Sequence, residues 1–286
     1  THYIAIAVAV ALVALIYFAG KTVEPKTEKP AAVAPMAGGG TPGDMQAAGL
    51  VLPEPANFDS LLLATKKKLS PAALAEITKQ ESIAASADVA AKVAALEALG
   101  KLWQEQKKRA IAAYYFGESG KLENSEKKLN FAAHLLTEEM HEEKNPNVKQ
   151  WMANTAEACY QKSLELNPTN DTVRIDLAGL YISGTGETMK GIGELLTIVR
   201  RDSTNIPVNV ILGRMAVESG QLDKAILRGN TVLRVDKDNI EAHLFLAEAY
   251  KRSGEAQKAK DLLNNAKKIM KNPDFDKDLD EYMKTF

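Results

Sequence analysis

His134, Glu138 and His141 are the residues of this chain whose types and spacing come nearest to chemistry. They stand at i, i+4 and i+7, so on a helix they share one face, and two imidazoles with a carboxylate on one face are the beginning of a metal site. The order is not H-E-x-x-H and no fourth ligand is evident, so the three are read as part of a polar helix surface. A second candidate is Gly184-Thr185-Gly186-Glu187-Thr188-Met189-Lys190-Gly191, whose glycines and lysine suggest a phosphate-cradling loop. It fits neither G-x-x-x-x-G-K-[ST] nor G-x-G-x-x-G, and no strand pattern precedes it, so a turn between helices is expected. Cys159 is the only cysteine and excludes an intrachain disulfide. Its helical surroundings, Ala156-Glu157-Ala158-Cys159-Tyr160, predict a buried, unreactive thiol. His243 falls at a packing position and His2 precedes an apolar run, so no Ser–His–acid or Cys–His set assembles. The chain is therefore read as a non-enzyme without metal or cofactor.

The elements that would position any site follow from a period. Between Ile206 and Pro273 one pattern is written twice, 34 residues apart. Leu212, Gly213, Ala216, Gly220, Ala225, Gly229 and Val232 return as Leu246, Ala247, Tyr250, Gly254, Ala259, Leu263 and Ala266. Each copy reads as two antiparallel helices. Gly220 and Gly254 end the first helix, where the chain often takes positive φ. Asp223 and Glu255 lie near the start of the second, where the helix dipole favours an anion. Gly213 and Ala247 are expected to leave room for the second helix of their own copy.

This period, with small residues at fixed places and a midway glycine, resembles the tetratricopeptide repeat. The resemblance implies an all-α, right-handed α-solenoid of about five helix–turn–helix repeats, stacked because none buries its apolar face alone. The copies are placed at 93–124, 125–168, 169–205, 206–239 and 240–273, within a solenoid over 92–273. The first carries Leu96, Leu99, Gly100, Trp103, Ala112 and Phe116, with Trp103 as core. The second is stretched by an insertion near Glu142–Trp151, read as a loop, which leaves Trp151 open between core residue and binding anchor. The third, with Leu177, Ala178, Tyr181, Gly191, Leu195 and Ile198, has one extra residue at Gly184-Thr185-Gly186.

Around this array lie other segments. Residues 3–20 are almost unbroken Ile, Ala, Val, Leu and Phe without charge, with Tyr3 and Tyr17 at the edges. They read as a transmembrane signal-anchor helix, in preference to a cleaved signal sequence. Residues 21–56, rich in Pro, Ala and Gly, read as a linker. Residues 57–91 hold a helical pair, with Ser70-Pro71 as a start signal. Residues 274–286 are acidic and amphipathic and suit a terminal cap. A formal net charge of −1 over 286 residues gives no basic field for nucleic acid.

The resemblance also implies a groove lined by the first helix of each repeat. Carried onto this sequence it picks out Lys101, Lys127, Asn130, His134, Ile175, Val210, Arg214, Val217, Leu244 and Glu248. Lys127 and Asn130 match part of the family's carboxylate clamp, but Ile and Val stand where a clamp needs charge. A mixed polar and apolar groove implies a protein or peptide partner rather than a small-molecule substrate. The layout implies a scaffold at a bacterial inner membrane with its repeats in the periplasm, acting in envelope assembly or as a chaperone-like factor. The alternative is a permanent structural subunit of a membrane complex.

Overall fold

The computed structural model describes residues 53–286 except residue 87. The apolar run 3–20 and the linker up to residue 52 lie outside the described residues. Among the described residues no helix is long and apolar enough to cross a membrane. The described chain is an all-helical repeat solenoid, with thirteen α-helices and one π-helical stretch. Helices α1 (Phe58–Lys66) and α2 (Pro71–Ser86) precede five pairs. The pairs are α3 (Val89–Glu105) with α4 (Arg109–Glu123), and α5 (Glu126–Glu142) with α6 (Pro146–Leu166). Then α7 (Asp171–Gly179), continued by the π-helical stretch Leu180–Thr185, pairs with α8 (Thr188–Arg201). Next come α9 (Ile206–Glu218) with α10 (Leu222–Val235), and α11 (Ile240–Arg252) with α12 (Ala256–Met270), and α13 (Pro273–Met283) follows.

Local chemistry repeats with the helices. Asn170, Asn205 and Asn239 cap α7, α9 and α11, each side chain accepting the backbone N–H three residues on, at 3.2, 3.1 and 3.0 Å. Before two of these caps, Asp202 and Asp236 accept from the N–H two residues on, at 2.9 and 3.2 Å, and so fold the connecting turn. Gly220 and Gly254, at φ 73° and 85°, end α9 and α11 in the left-handed region as their spacing predicts.

Packing departs from the sequence reading in three places. A Cβ on Gly213 would lie 2.6 Å from the ring of Phe245, so this small residue seats the first helix of the next repeat, not the second helix of its own. Gly100 does serve its own pair, facing the Phe116 ring. The expected insertion loop is absent. Only residues 143–145 join α5 to α6, and the extra residues lengthen these helices to 17 and 21 residues. Trp151 consequently lies inside α6 and is 7% exposed. Its ring stacks on Phe58 at 5.4 Å, and Phe58 stacks on Tyr114 at 3.8 Å. Trp103 is fully buried, as expected of a core residue. The extra residue of the third repeat is taken up by the π-helical stretch, whose wider turn accommodates it without breaking the helix. The end of the linker is also held: the Ala56 N–H donates to the carbonyl of Asn147 at 2.8 Å.

Buried polar residues follow the period too. Asn209 donates from Nδ2 to the carbonyls of Ser203 and Asn205 at 3.0 and 2.8 Å. His243, 34 residues later, places Nε2 3.0 Å from the carbonyl of Lys237, itself 34 residues after Ser203. Both side chains tie the first helix to the turn before it. His243→Asn is therefore expected to hold stability within about 1 kcal/mol, while His243→Leu loses about 1–2 kcal/mol by leaving that carbonyl without its donor. Urea unfolding of the two variants checks this, and equal losses would remove the assigned role.

Candidate functional site

The first helices of successive repeats lie side by side, with α9 packed on α11 and the π-helical stretch packed on α5. Between α5, α7 and α9 this row opens into a cleft of about 620 Å³. Its floor is apolar: Met140, Ile175, Leu180, Ile182, Ile211 and Met215. Thioethers adapt to varied shapes, which suits a peptide side chain better than a rigid substrate. Tyr160 also lines the floor, and burial pushes its phenol up to about 12, so it stays a neutral hydroxyl at ordinary pH. Around the floor stand His134, His141, Lys149, Asp176, Arg214 and Glu218. Partial desolvation raises the Asp176 carboxyl above the usual carboxylate range, and the charge of His134 offsets this in part.

The cleft brings His134, Ile175 and Arg214 together out of the residues picked from sequence. The others lie elsewhere. Lys101 and Lys127 are exposed, and Asn130 is half-buried with its Oδ1 unpartnered. Val210 and Val217 are 6% and 8% exposed and belong to the core with Ala225, Val232 and Phe245. Leu244 packs in the cluster that includes Leu279, Phe275 and Tyr282, and Glu248 accepts from the Tyr282 hydroxyl. Along α9 it is Ile211, Arg214, Met215 and Glu218 that face the cleft, a stripe at i, i+3, i+4 and i+7. The sequence reading missed Ile211, which stands one position, about 100° of helix rotation, from Val210, and Met215, which directly follows Arg214.

The other chemical candidates are committed to the fold. Glu138 is held by Arg109 at 2.8 Å and by His134 at 3.2 Å. Among the described residues no group of three or more His, Cys, Asp or Glu is placed to hold a metal. Lys190 pairs with Glu187 at 2.6 Å and lies over the Tyr181 ring at 5.1 Å, so the glycine-rich run is a helix–helix turn with its lysine engaged. Burial pushes the Cys159 thiol up to about 11, away from reactive thiolate.

Comparison with known proteins agrees with this architecture. Residues 198–277, from the end of α8 into α13, match a family model described as tetratricopeptide repeat. No curated protein matches the sequence. Among solved structures, a tetratricopeptide repeat protein from Parabacteroides merdae ATCC 43184 is similar at 16% identity, over 68% of this chain and 73% of that one, with a TM-score of 0.51. MamA from residue 41 to its end, from Desulfovibrio magneticus RS-1, is similar at 15% identity over 64% of this chain and 97% of that one, with a TM-score of 0.48. YrrB, described as a tetratricopeptide protein with an unusual peptide-binding site, shares 15% identity over 65% of this chain and 91% of that one, with a TM-score of 0.45. At such identities the likeness bears on the fold alone.

Proposed function

We propose that this chain is a membrane-anchored, non-catalytic scaffold whose row of first helices binds a segment of a partner protein, in envelope assembly or as a chaperone-like factor. Residues 3–20 would anchor it in a bacterial inner membrane, and the linker would carry the repeats into the periplasm. The uncharged apolar run with tyrosines at both edges supports the anchor. A flexible linker of this length reaches roughly 30–35 Å, and tethering raises the local concentration of the repeats near membrane partners.

One observation carries the binding role. Gly179 lies in the wall of the cleft, and a Cβ built there meets nothing within 4 Å. Its backbone is ordinary right-handed helix, φ −60° and ψ −43°, which any residue adopts. Glycine inside a helix costs about 0.5–1 kcal/mol relative to alanine. Neither backbone geometry nor internal packing requires it here, and the missing side chain leaves room in the cleft.

Gly179→Trp would fill that room without touching the core. The expected result is a chain whose Tm does not fall and that captures at least about ten-fold less partner, equivalent to about 1.4 kcal/mol, in affinity purification from gently solubilised cells. Arg214→Glu should also weaken capture. Full capture by both variants would overturn the assignment of the cleft. A permanent structural subunit is the second reading, favoured by Leu227 and Val235 of α10, which are 64% and 53% exposed. Co-purification at fixed stoichiometry through high salt would select it.

A further inference from the structure

Charge around the cleft is left uncommitted by the fold. Elsewhere on the row of first helices it is taken up inside the chain: Glu97 pairs with Lys128, and Glu248 accepts from the Tyr282 hydroxyl. Lys149 of α6 and Arg214 of α9 line the cleft, and neither enters an ion pair among the described residues. Lys149 is half-buried even so. Burying part of an ammonium without a carboxylate to meet it is unfavourable, and an anion from outside would relieve that.

Two histidines complete the rim. His134 and His141 stand seven residues apart on α5, both exposed and on one face. Glu138 lies between them, already held by Arg109 at 2.8 Å, with His134 Nε2 at 3.2 Å. From the other elements, α7 presents Asp176, α9 presents Arg214 and Glu218, and α6 presents Lys149 with the uncharged phenol of Tyr160. The π-helical stretch adds Leu180, Ile182, Ser183 and Gly184, none of them charged. With neutral imidazoles the two cations Lys149 and Arg214 cancel the two anions Asp176 and Glu218. With both imidazoles protonated the same rim carries a net charge of +2 above an apolar floor. Partial desolvation raises the Asp176 carboxyl, so charge on this rim is incompletely screened by water. Histidine is the side chain whose charge ordinarily changes between about pH 5 and 8.

We propose that the cleft is a pH-dependent receptor for an acidic partner segment, in which a bulky apolar side chain seats over Gly179, flanking carboxylates meet Lys149 and Arg214, and protonation of His134 and His141 strengthens the grip. This rests on the reading of the cleft as the partner site and assigns that site its ligand charge and its regulation. A bound carboxylate favours the charged imidazole, so the complex holds protons more tightly than the free chain. Affinity therefore rises as pH falls through the histidine range. Glutamates of the partner stay largely ionised down to about pH 5, so they remain available over that interval.

The test uses a short rhodamine-labelled peptide with Leu-Phe at its centre and glutamates on both sides, and a twin with lysines in place of the glutamates. Anisotropy is measured on the whole chain in mild detergent at about pH 7.5 and about pH 5.5, on either side of the ordinary histidine midpoint. Raising two imidazoles by about one unit each in the complex gives a gain on the order of ten-fold across this interval. The expected result is an acidic peptide that binds more tightly than its lysine twin, gains about ten-fold at the lower pH, and loses that gain when His134→Gln and His141→Gln are combined. Both histidines are exposed, so the double variant leaves the core intact. Affinity independent of pH, a pH dependence that survives the double variant, preference for the lysine twin, or no binding of the acidic peptide at either pH overturns the proposal. Equal binding of the acidic peptide to Gly179→Trp and to the parent chain would place the charge effect outside the cleft and overturn it as well. Partner capture from cells by Gly179→Trp does not involve these peptides, so the cleft reading stands or falls on that experiment separately.

Discussion

Gly191→Ala lowers stability by about 2–3 kcal/mol, while Gly179→Ala raises it by about 0.5 kcal/mol, although both substitutions add one methyl group to a helix of the same repeat. A Cβ at Gly191 would lie 2.7 Å from the carbonyl oxygen of Ala178 and 2.5 Å from Ile182 Cγ1. The first is backbone and cannot swing aside, so α8 has to move off α7. Overpacking of this kind typically costs about 1–3 kcal/mol, and the methyl's usual gain in helix propensity is too small to offset it. At Gly179 nothing opposes the methyl, so the propensity gain remains alone. Urea unfolding of the two variants in parallel decides the matter. A stabilised Gly191→Ala would mean that α7 and α8 lie farther apart than described. A destabilised Gly179→Ala would mean that the cleft wall already has an internal neighbour. The contrast also separates the two roles glycine has in this repeat, close approach of helices at 191 and vacancy at 179.

The array was legible because its small residues are constrained by sterics, and steric constraints recur with the period. Gly220 and Gly254 turn where their spacing predicts, and Ala225, Ala259 and Ala266 are fully buried. An equally periodic signal was passed over: Asn170, Asn205 and Asn239 cap successive first helices, and the chain order alone shows them. Other features have no local signature. A single extra residue can become a longer turn or a π-helical stretch, and packing of Leu180 and Tyr181 into the core favours the second. Extra residues between α5 and α6 can loop out or extend helices, and Trp151 settles this by what it stacks on, Phe58, which is remote in sequence. The groove was legible only in part for a geometric reason. Counting positions from a helix start places a residue within about one step, and one step on a helix is about 100°. That is the difference between Val210 in the core and Ile211 in the cleft. The contacts of Glu248 and Lys251 with Tyr282, Thr285 and Phe286 join residues far apart in sequence, and no local pattern encodes those pairings.

Trp151→Ala is expected to cost about 3–5 kcal/mol and to release the first described residues of the chain from the second repeat. The indole is 7% exposed and stacks on Phe58 at 5.4 Å with an interplanar angle of 17°. Phe58 in turn stacks on Tyr114 at 3.8 Å, and the backbone beside it is fixed by the bond from Ala56 to Asn147. Removing the indole therefore opens a cavity in the core around α6 and strips one face of the ring that pins α1. Phe58→Ala should cost less, because Phe58 is only half-buried. Combined, the two should cost less than their sum by about 0.5–1.5 kcal/mol, the coupling of one stacked aromatic pair. Limited trypsin digestion gives an independent reading at Lys66, Lys67 and Lys68, at and just beyond the end of α1. With the segment before α1 docked, Lys66 is paired with Glu81 of α2 and this corner is held. With Phe58→Ala, cleavage there should accelerate while the rest of the array resists, because each repeat depends chiefly on its neighbours. Strictly additive losses, with cleavage unchanged in Phe58→Ala, would show that Trp151 supports α6 alone and that the segment before α1 contributes nothing to the second repeat.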